Sequence, residues 1–120
     1  RKKLGCMRIE EFINKLKTTP KSLEFSETMA VIEANYEFTP TAFKNGELQN
    51  NAGENLGSCK LFAFAKLQGF TKDETLACFG KFYFEDVLND PNGTGHQNIR
   101  NFMKTGFDGL VFDGIALKLK

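Results

Sequence analysis

A chain of 120 residues with 41% hydrophobic and 26% charged content can build one cored domain but not two. Its formal net charge of +1 excludes a strong general attraction to nucleic acid. No apolar run approaches the roughly 20 residues that a transmembrane helix requires.

Charge is unevenly spread. Arg1, Lys2, Lys3, Lys118 and Lys120 sit at the ends, and removing these five of the 16 basic residues leaves 11 against 15 acidic, a body near −4. The organisation expected is a basic N-terminal tail at 1–6, a single domain at 7–117 and a basic C-terminal end at 118–120. Such ends are ordinarily solvated. The functional alternative is peripheral contact with an acidic partner or an anionic membrane surface. The three Cys are odd in number with no CxxC pair, which argues against a disulfide framework and for a reducing compartment. Met7 is a candidate start, with residues 1–6 an added segment; a transit peptide cleaved ahead of Arg1 is the alternative. Thirteen Phe without a Trp predict a core built largely of rings that lack a polar handle.

In chain order, residues 7–18 place Met7, Ile9, Phe12, Ile13 and Leu16 at helical spacing, ended by Thr19-Pro20. Glu11 and Lys15 stand i,i+4 on the other face, a favourable pairing. A second helix is expected from a Ser22 or Ser26 cap, Ser26 fitting best, through Tyr36, with the β-branched pair Val31-Ile32 leaving a strand as the alternative. Pro40 confines the aromatic stretch Tyr36–Phe43 to an edge or a break. Asn45-Gly46 predicts a hairpin turn within 40–50. After the polar loop at 49–57, Asn55–Gly69 is the most continuously apolar segment and reads as a helix buried on most of its circumference. Thr71 and Glu74 form a capping box for a long helix reaching Asn89. Gly80 costs that helix roughly 1 kcal/mol relative to Ala and suggests close approach to a neighbouring helix. Leu76, Phe79, Tyr83, Val87 and Leu88 point inward. Residues 96–106 form a last short helix stopped by Gly106. Two short strands around Asp113-Gly114 are positioned to pair with the hairpin. The fold class is therefore α+β: a mainly helical single domain of four to five helices with a small antiparallel sheet.

Two constellations could carry chemistry. A Cys in the first turn of a helix has its thiolate favoured, so Cys59 with His96 as base and Asn98 as orienting group is a candidate thiol site for a hydrolase or transferase. The competing reading makes Cys59 a small packed residue. The polar cluster His96, Gln97, Asn98, Arg100 and Asn101 reads either as capping and loop bracing or as an Arg-centred recognition site for a carboxylate, phosphate or peptide backbone. Lys60, near its helix start, could add charge there. The interleaved aromatics of Tyr36–Phe43 could stack bases, but hairpin packing explains them without a basic field. The Asp and Glu residues show no metal-ligand spacing, so neither a metal nor a cofactor is expected.

The motifs NYxxxPTxFxNG, GSCKxFxFA, TLxCFG and HQNIRNFMxxG, spread from about Met7 to Gly114, resemble the HopJ family. Its members are small proteins labelled type III effectors; similar proteins also occur in marine bacteria and algae. The label names delivery to a host cell, not a chemistry, and brings no catalytic residues with it. The chain departs from the familiar pattern at Phe84, where an Arg is usual, and at Phe107, where a Trp is common. The resemblance implies a non-enzymatic protein-interaction module. Its expected setting is the bacterial cytoplasm, with delivery to a host, or in an alga a plastid or other organelle as an accessory subunit of a photosynthetic or other assembly.

Overall fold

The computed structural model describes residues 8–120; the expected basic tail at 1–6 and Met7 lie outside the described residues. Five α-helices lie among these residues: α1 (Ile9–Thr18), α2 (Phe25–Asn35), α3 (Leu56–Gln68), α4 (Lys72–Ala77) and α5 (Gln97–Thr105). Five three-residue strands accompany them: β1 (Tyr36–Phe38), β2 (Phe43–Asn45), β3 (Leu48–Asn50), β4 (Leu110–Phe112) and β5 (Leu117–Leu119). The strands form two antiparallel sheets, not one, ordered β1-β5 and β3-β2-β4. The basic C-terminal end is thereby drawn in, with Lys118 opposite Glu37 in β5 and the Lys120 N–H donating to Asn35 O.

α3 is the hub. Leu61 through Ala65 are buried in succession, and its two rings face different parts of the molecule. Phe62 meets Phe43, Phe79 and Phe102, with centroids 6.1, 5.5 and 4.9 Å away. Phe64 meets Phe12, Tyr36 and Phe70 at 5.7 to 5.8 Å. Each fully buried ring contributes about 1.5–3 kcal/mol by leaving water. Gly69, left-handed at φ 70°, ends the helix and returns its N–H to Ala65 O and Lys66 O. Of the 13 Phe, twelve are buried in the core or packed against it; Phe82 is the exception at 40% exposed.

Three local expectations are corrected. α2 starts at Phe25 with Glu24 as N-cap, two residues earlier than a Ser26 cap would place it. Lys15 reaches across to Glu27 of α2 at 2.8 Å, so its carboxylate partner comes from the neighbouring helix. The hairpin turn is Gly46-Glu47, because Asn45 pairs with Leu48 as the last residue of β2; Gly46 supplies the left-handed φ of 64°.

The long helix from Thr71 to Asn89 is also corrected. Its capping box forms, with Glu74 N–H donating to Thr71 Oγ1 at 3.1 Å and Thr71 N–H to Glu74 Oε1 at 2.9 Å. α4 nevertheless stops at Ala77. Gly80 takes φ 62°, and a Cβ there would lie 2.9 Å from Phe25 N and 3.0 Å from Leu23 O. Gly80 therefore seats the chain against the start of α2. Thr28 Oγ1 donates to Cys78 O at 2.8 Å, satisfying a carbonyl at the break. The chain resumes as a π-helical turn over Phe82–Val87, in which Leu88 N–H donates to Tyr83 O five residues back. Phe79 and Val87 are buried as expected, Tyr83 only partly, and Leu88 stays exposed.

Candidate functional site

Cys59 lies in the first turn of α3, as expected, but it is 1% exposed and its Sγ donates to Thr41 O at 3.4 Å. Burial pushes its thiol pKa up. This reverses the expected lowering: the desolvation of a covered thiolate outweighs the helix N-terminus. Cys78, the other cysteine among the described residues, is likewise buried with its thiol pushed up. The cleft that contains His96 does not include Cys59; the neighbouring Ser58 faces it. Cys59 and His96 are therefore not brought into one cleft.

That cleft has a volume of about 410 Å³ and lies between two helix starts. One wall is the first turn of α3, with Gly57 and Ser58; the other is the first turn of α5, with Gln97 and Asn98. The two N-cap residues, Asn55 (φ 50°, ψ 51°) and His96 (φ 56°, ψ 52°), are left-handed. They are the two non-glycine residues of positive φ among the described residues. Each such conformation costs about 1–2 kcal/mol and persists only where surroundings enforce it. Neither side chain caps its helix, and neither first turn holds an acidic residue.

The enforcing contacts are visible. His96 Nε2 lies 3.1 Å from Asp86 Oδ2, and its ring centroid lies 5.3 Å from that of Phe82. Asn55 Nδ2 donates to Asn50 Oδ1, which also accepts from Asn98 Nδ2 at 2.9 Å. Asn98 Oδ1 in turn accepts from Asn45 Nδ2 at 3.0 Å and Asn50 Nδ2 at 3.2 Å. Asn45, Asn50 and Asn98 are all buried. Among the described residues the Oδ1 of Asn45 has no hydrogen-bond partner, a burden of about 1–3 kcal/mol on the fold.

The cleft floor is aromatic. Phe25, Phe79 and Phe82 also line an adjoining cavity of about 270 Å³ beside Glu24, Ser26 and Lys81. Phe25 stacks on Phe79 at 6.1 Å and meets Phe82 edge-on at 5.3 Å. One groove thus runs from the start of α2 to the start of α5, apolar at one end and polar at the other.

The structure sorts the residues of the polar cluster. His96, Gln97 and Asn98 line the groove. Arg100 is committed to the preceding loop, with Nε donating to Gly95 O and Nη1 to Asp90 O at 2.8 Å. Asn101 Nδ2 donates to Gln97 O at 2.9 Å. Lys60 pairs with Glu33 at 3.1 Å and lies 5.0 Å over the Phe38 ring, so it is not part of the groove. Tyr36 and Phe43 are buried and offer no stacking faces. Reasoning from sequence missed Asn45, Asn50 and Asn55, because an Asn in a polar loop reads as a turn residue. It also missed Phe25, Phe82 and Asp86 as groove residues; the crowded FGKFYF run was the available signal. Among the described residues, no group of three or more His, Cys, Asp or Glu could hold a metal ion, and no helix is long and apolar enough to cross a membrane.

Comparison with known proteins places this architecture. No curated protein matches the chain. A crystal structure described as that of the unknown-function protein VPA0580 is 53% identical, with a TM-score of 0.94, covering 99% of this chain and 100% of that one. The family model described as HopJ type III effector protein matches residues 9–117. The chain belongs to the HopJ family.

Proposed function

We propose that this HopJ-family chain is a non-catalytic module that binds an extended segment of a protein partner in the groove floored by Phe25, Phe79 and Phe82. The observation that carries the proposal is the placement of Phe82: it is the Phe left exposed, at 40%, and it sits between the groove's apolar and polar ends. An exposed aromatic in a concave, otherwise packed setting is the usual form of a binding anchor. The apolar end suits an aliphatic or aromatic side chain. The polar end, with the starts of α3 and α5, suits the backbone carbonyls that follow it. In a larger assembly the protein would serve as a peripheral subunit. The family name speaks for a bacterial effector setting, and nothing observed supports the organellar one. The thiol-enzyme reading has no support in the geometry, since Cys59 is covered and its thiol is pushed up by burial.

The test is a peptide array probed with the purified chain, followed by fluorescence anisotropy on the peptides retained. Peptides with one apolar anchor beside polar residues should bind. Phe82→Ala should weaken them at least about tenfold, the loss of roughly 1.4 kcal/mol expected for an anchor. Lys60→Ala should leave binding unchanged. An array without binders, or binders indifferent to Phe82→Ala, would sink the proposal.

A further inference from the structure

An Asn at a helix N-cap ordinarily sits in extended backbone and accepts a hydrogen bond from the second or third helical N–H. Asn55 does neither. It is left-handed, makes no cap, and turns its Nδ2 toward Asn50. Asn50 stands in β3 opposite Phe43, and its side chain is aimed inward by that register. It is 0% exposed. Its Nδ2 is used by Phe43 O at 3.4 Å and Asn98 Oδ1 at 3.2 Å. Its Oδ1 is thereby presented to the donors of both helix starts, Asn55 Nδ2 and Asn98 Nδ2.

We infer that Asn50 is a positioning residue: by holding the Asn55 side chain away from its own helix, it keeps the start of α3 uncapped and open to the groove. The inference rests on the groove being the binding site, and it names what sets the groove's polar end. The amides of Gly57 and Ser58, second and third in α3, are those that an Asn55 cap would occupy, and both residues line the groove. Asn is suited to the task because it tolerates the left-handed region better than other side-chain-bearing residues. The same Asn50 oxygen fixes Asn98 on the opposite wall, so one buried amide sets both walls from the β2–β3 hairpin.

The experiment is amide hydrogen exchange at Gly57 and Ser58 in the full chain without ligand. Asn50→Ala should release Asn55 to cap, slowing exchange at one of the two amides about fivefold, the protection of a cap of ordinary strength. Asn55→Gly keeps the left-handed backbone and has no side chain to cap with, so exchange should stay at the wild-type rate. The double variant Asn50→Ala/Asn55→Gly should also return to the wild-type rate. Unchanged or faster exchange in folded Asn50→Ala overturns the inference, as does slowing in the double variant. If Asn50→Ala does not fold, Asn55→Ser decides. Ser avoids the left-handed region and caps well, so slowing supports the inference, and an unchanged rate overturns it, because no cap can then form there. No ligand enters the measurement, so its outcome is separable from that of the peptide array.

Discussion

Replacing Gly80 by Ala should destabilise the protein by about 3 kcal/mol, and the figure follows from two local facts. Gly80 holds φ 62°, a region that costs an L residue about 1–2 kcal/mol. The added methyl would lie 2.9 Å from Phe25 N and 3.0 Å from Leu23 O. Both are backbone atoms that cannot swing aside, and overpacking of that kind typically costs about 1–3 kcal/mol. The entropy that Ala removes from the unfolded chain offsets only about 0.4–1 kcal/mol. Urea denaturation followed by far-UV circular dichroism measures the difference, which corresponds to a fall of about 10 °C in Tm for a domain of this size. The sign alone is decisive. Were residues 72–88 one continuous helix, Ala at position 80 would stabilise by about 1 kcal/mol. A Gly80→Ala variant as stable as the wild type, or more so, would refute the break and the contact that causes it.

Two further outcomes follow. In a Cys6→Ser background at pH 8, a thiol reagent should label Cys59 and Cys78 only as fast as the protein unfolds, since both are 1% exposed with thiols pushed up by burial; rapid labelling of native Cys59 would revive a reactive thiol. The Glu74 carboxyl is held below its ordinary value by the Lys17 ammonium at 2.8 Å and then by the Thr71 N–H. Its folded pKa is the lower one, so its stabilisation is complete above the unfolded value and is lost as pH falls through the folded one. The advantage over Glu74→Gln, about 1 kcal/mol at most for so exposed a pair, should be present at pH 7 and shrink below about pH 4 in paired denaturation curves; an advantage that grows on acidification contradicts the assignment.

What was legible in the sequence was what local chemistry decides. The run of apolar and small residues from Leu56 to Leu67 could bury itself only as a central helix. The Thr71–Glu74 box needed only its own four residues. Gly69 and Gly106 marked true ends because each takes a positive φ that glycine adopts without strain. What was illegible depended on partners far along the chain. The burial of Cys59 is set by the segment carrying Thr41, so its thiol pKa could not be read from the helix position alone. The roles of Asn45, Asn50 and Asn98 exist only once the hairpin lies against α5. Arg100 looked like a recognition group because its neighbours were polar; the carbonyls of Asp90 and Gly95 absorb it.

The break at Gly80 and the groove have one cause. A continuous helix over Lys72–Leu88 would run for about 25 Å in one direction and carry Phe82 away from α5. The chain instead turns where Gly80 meets the backbone of Leu23–Phe25, and the π-helical turn that follows lays Phe82 against Phe25 and His96, with Asp86 on the same imidazole. The contact that forbids a side chain at position 80 is thus the contact that assembles the aromatic floor. It follows that Gly80→Ala should weaken stability and peptide binding together, because it displaces Phe25. Phe82→Ala should weaken binding at least about tenfold while lowering stability by only about 1 kcal/mol, the worth of the ring contacts it loses. Melting curves and anisotropy on the same two proteins separate these outcomes. If Gly80→Ala loses stability but binds peptide as the wild type does, the groove is not built by the break.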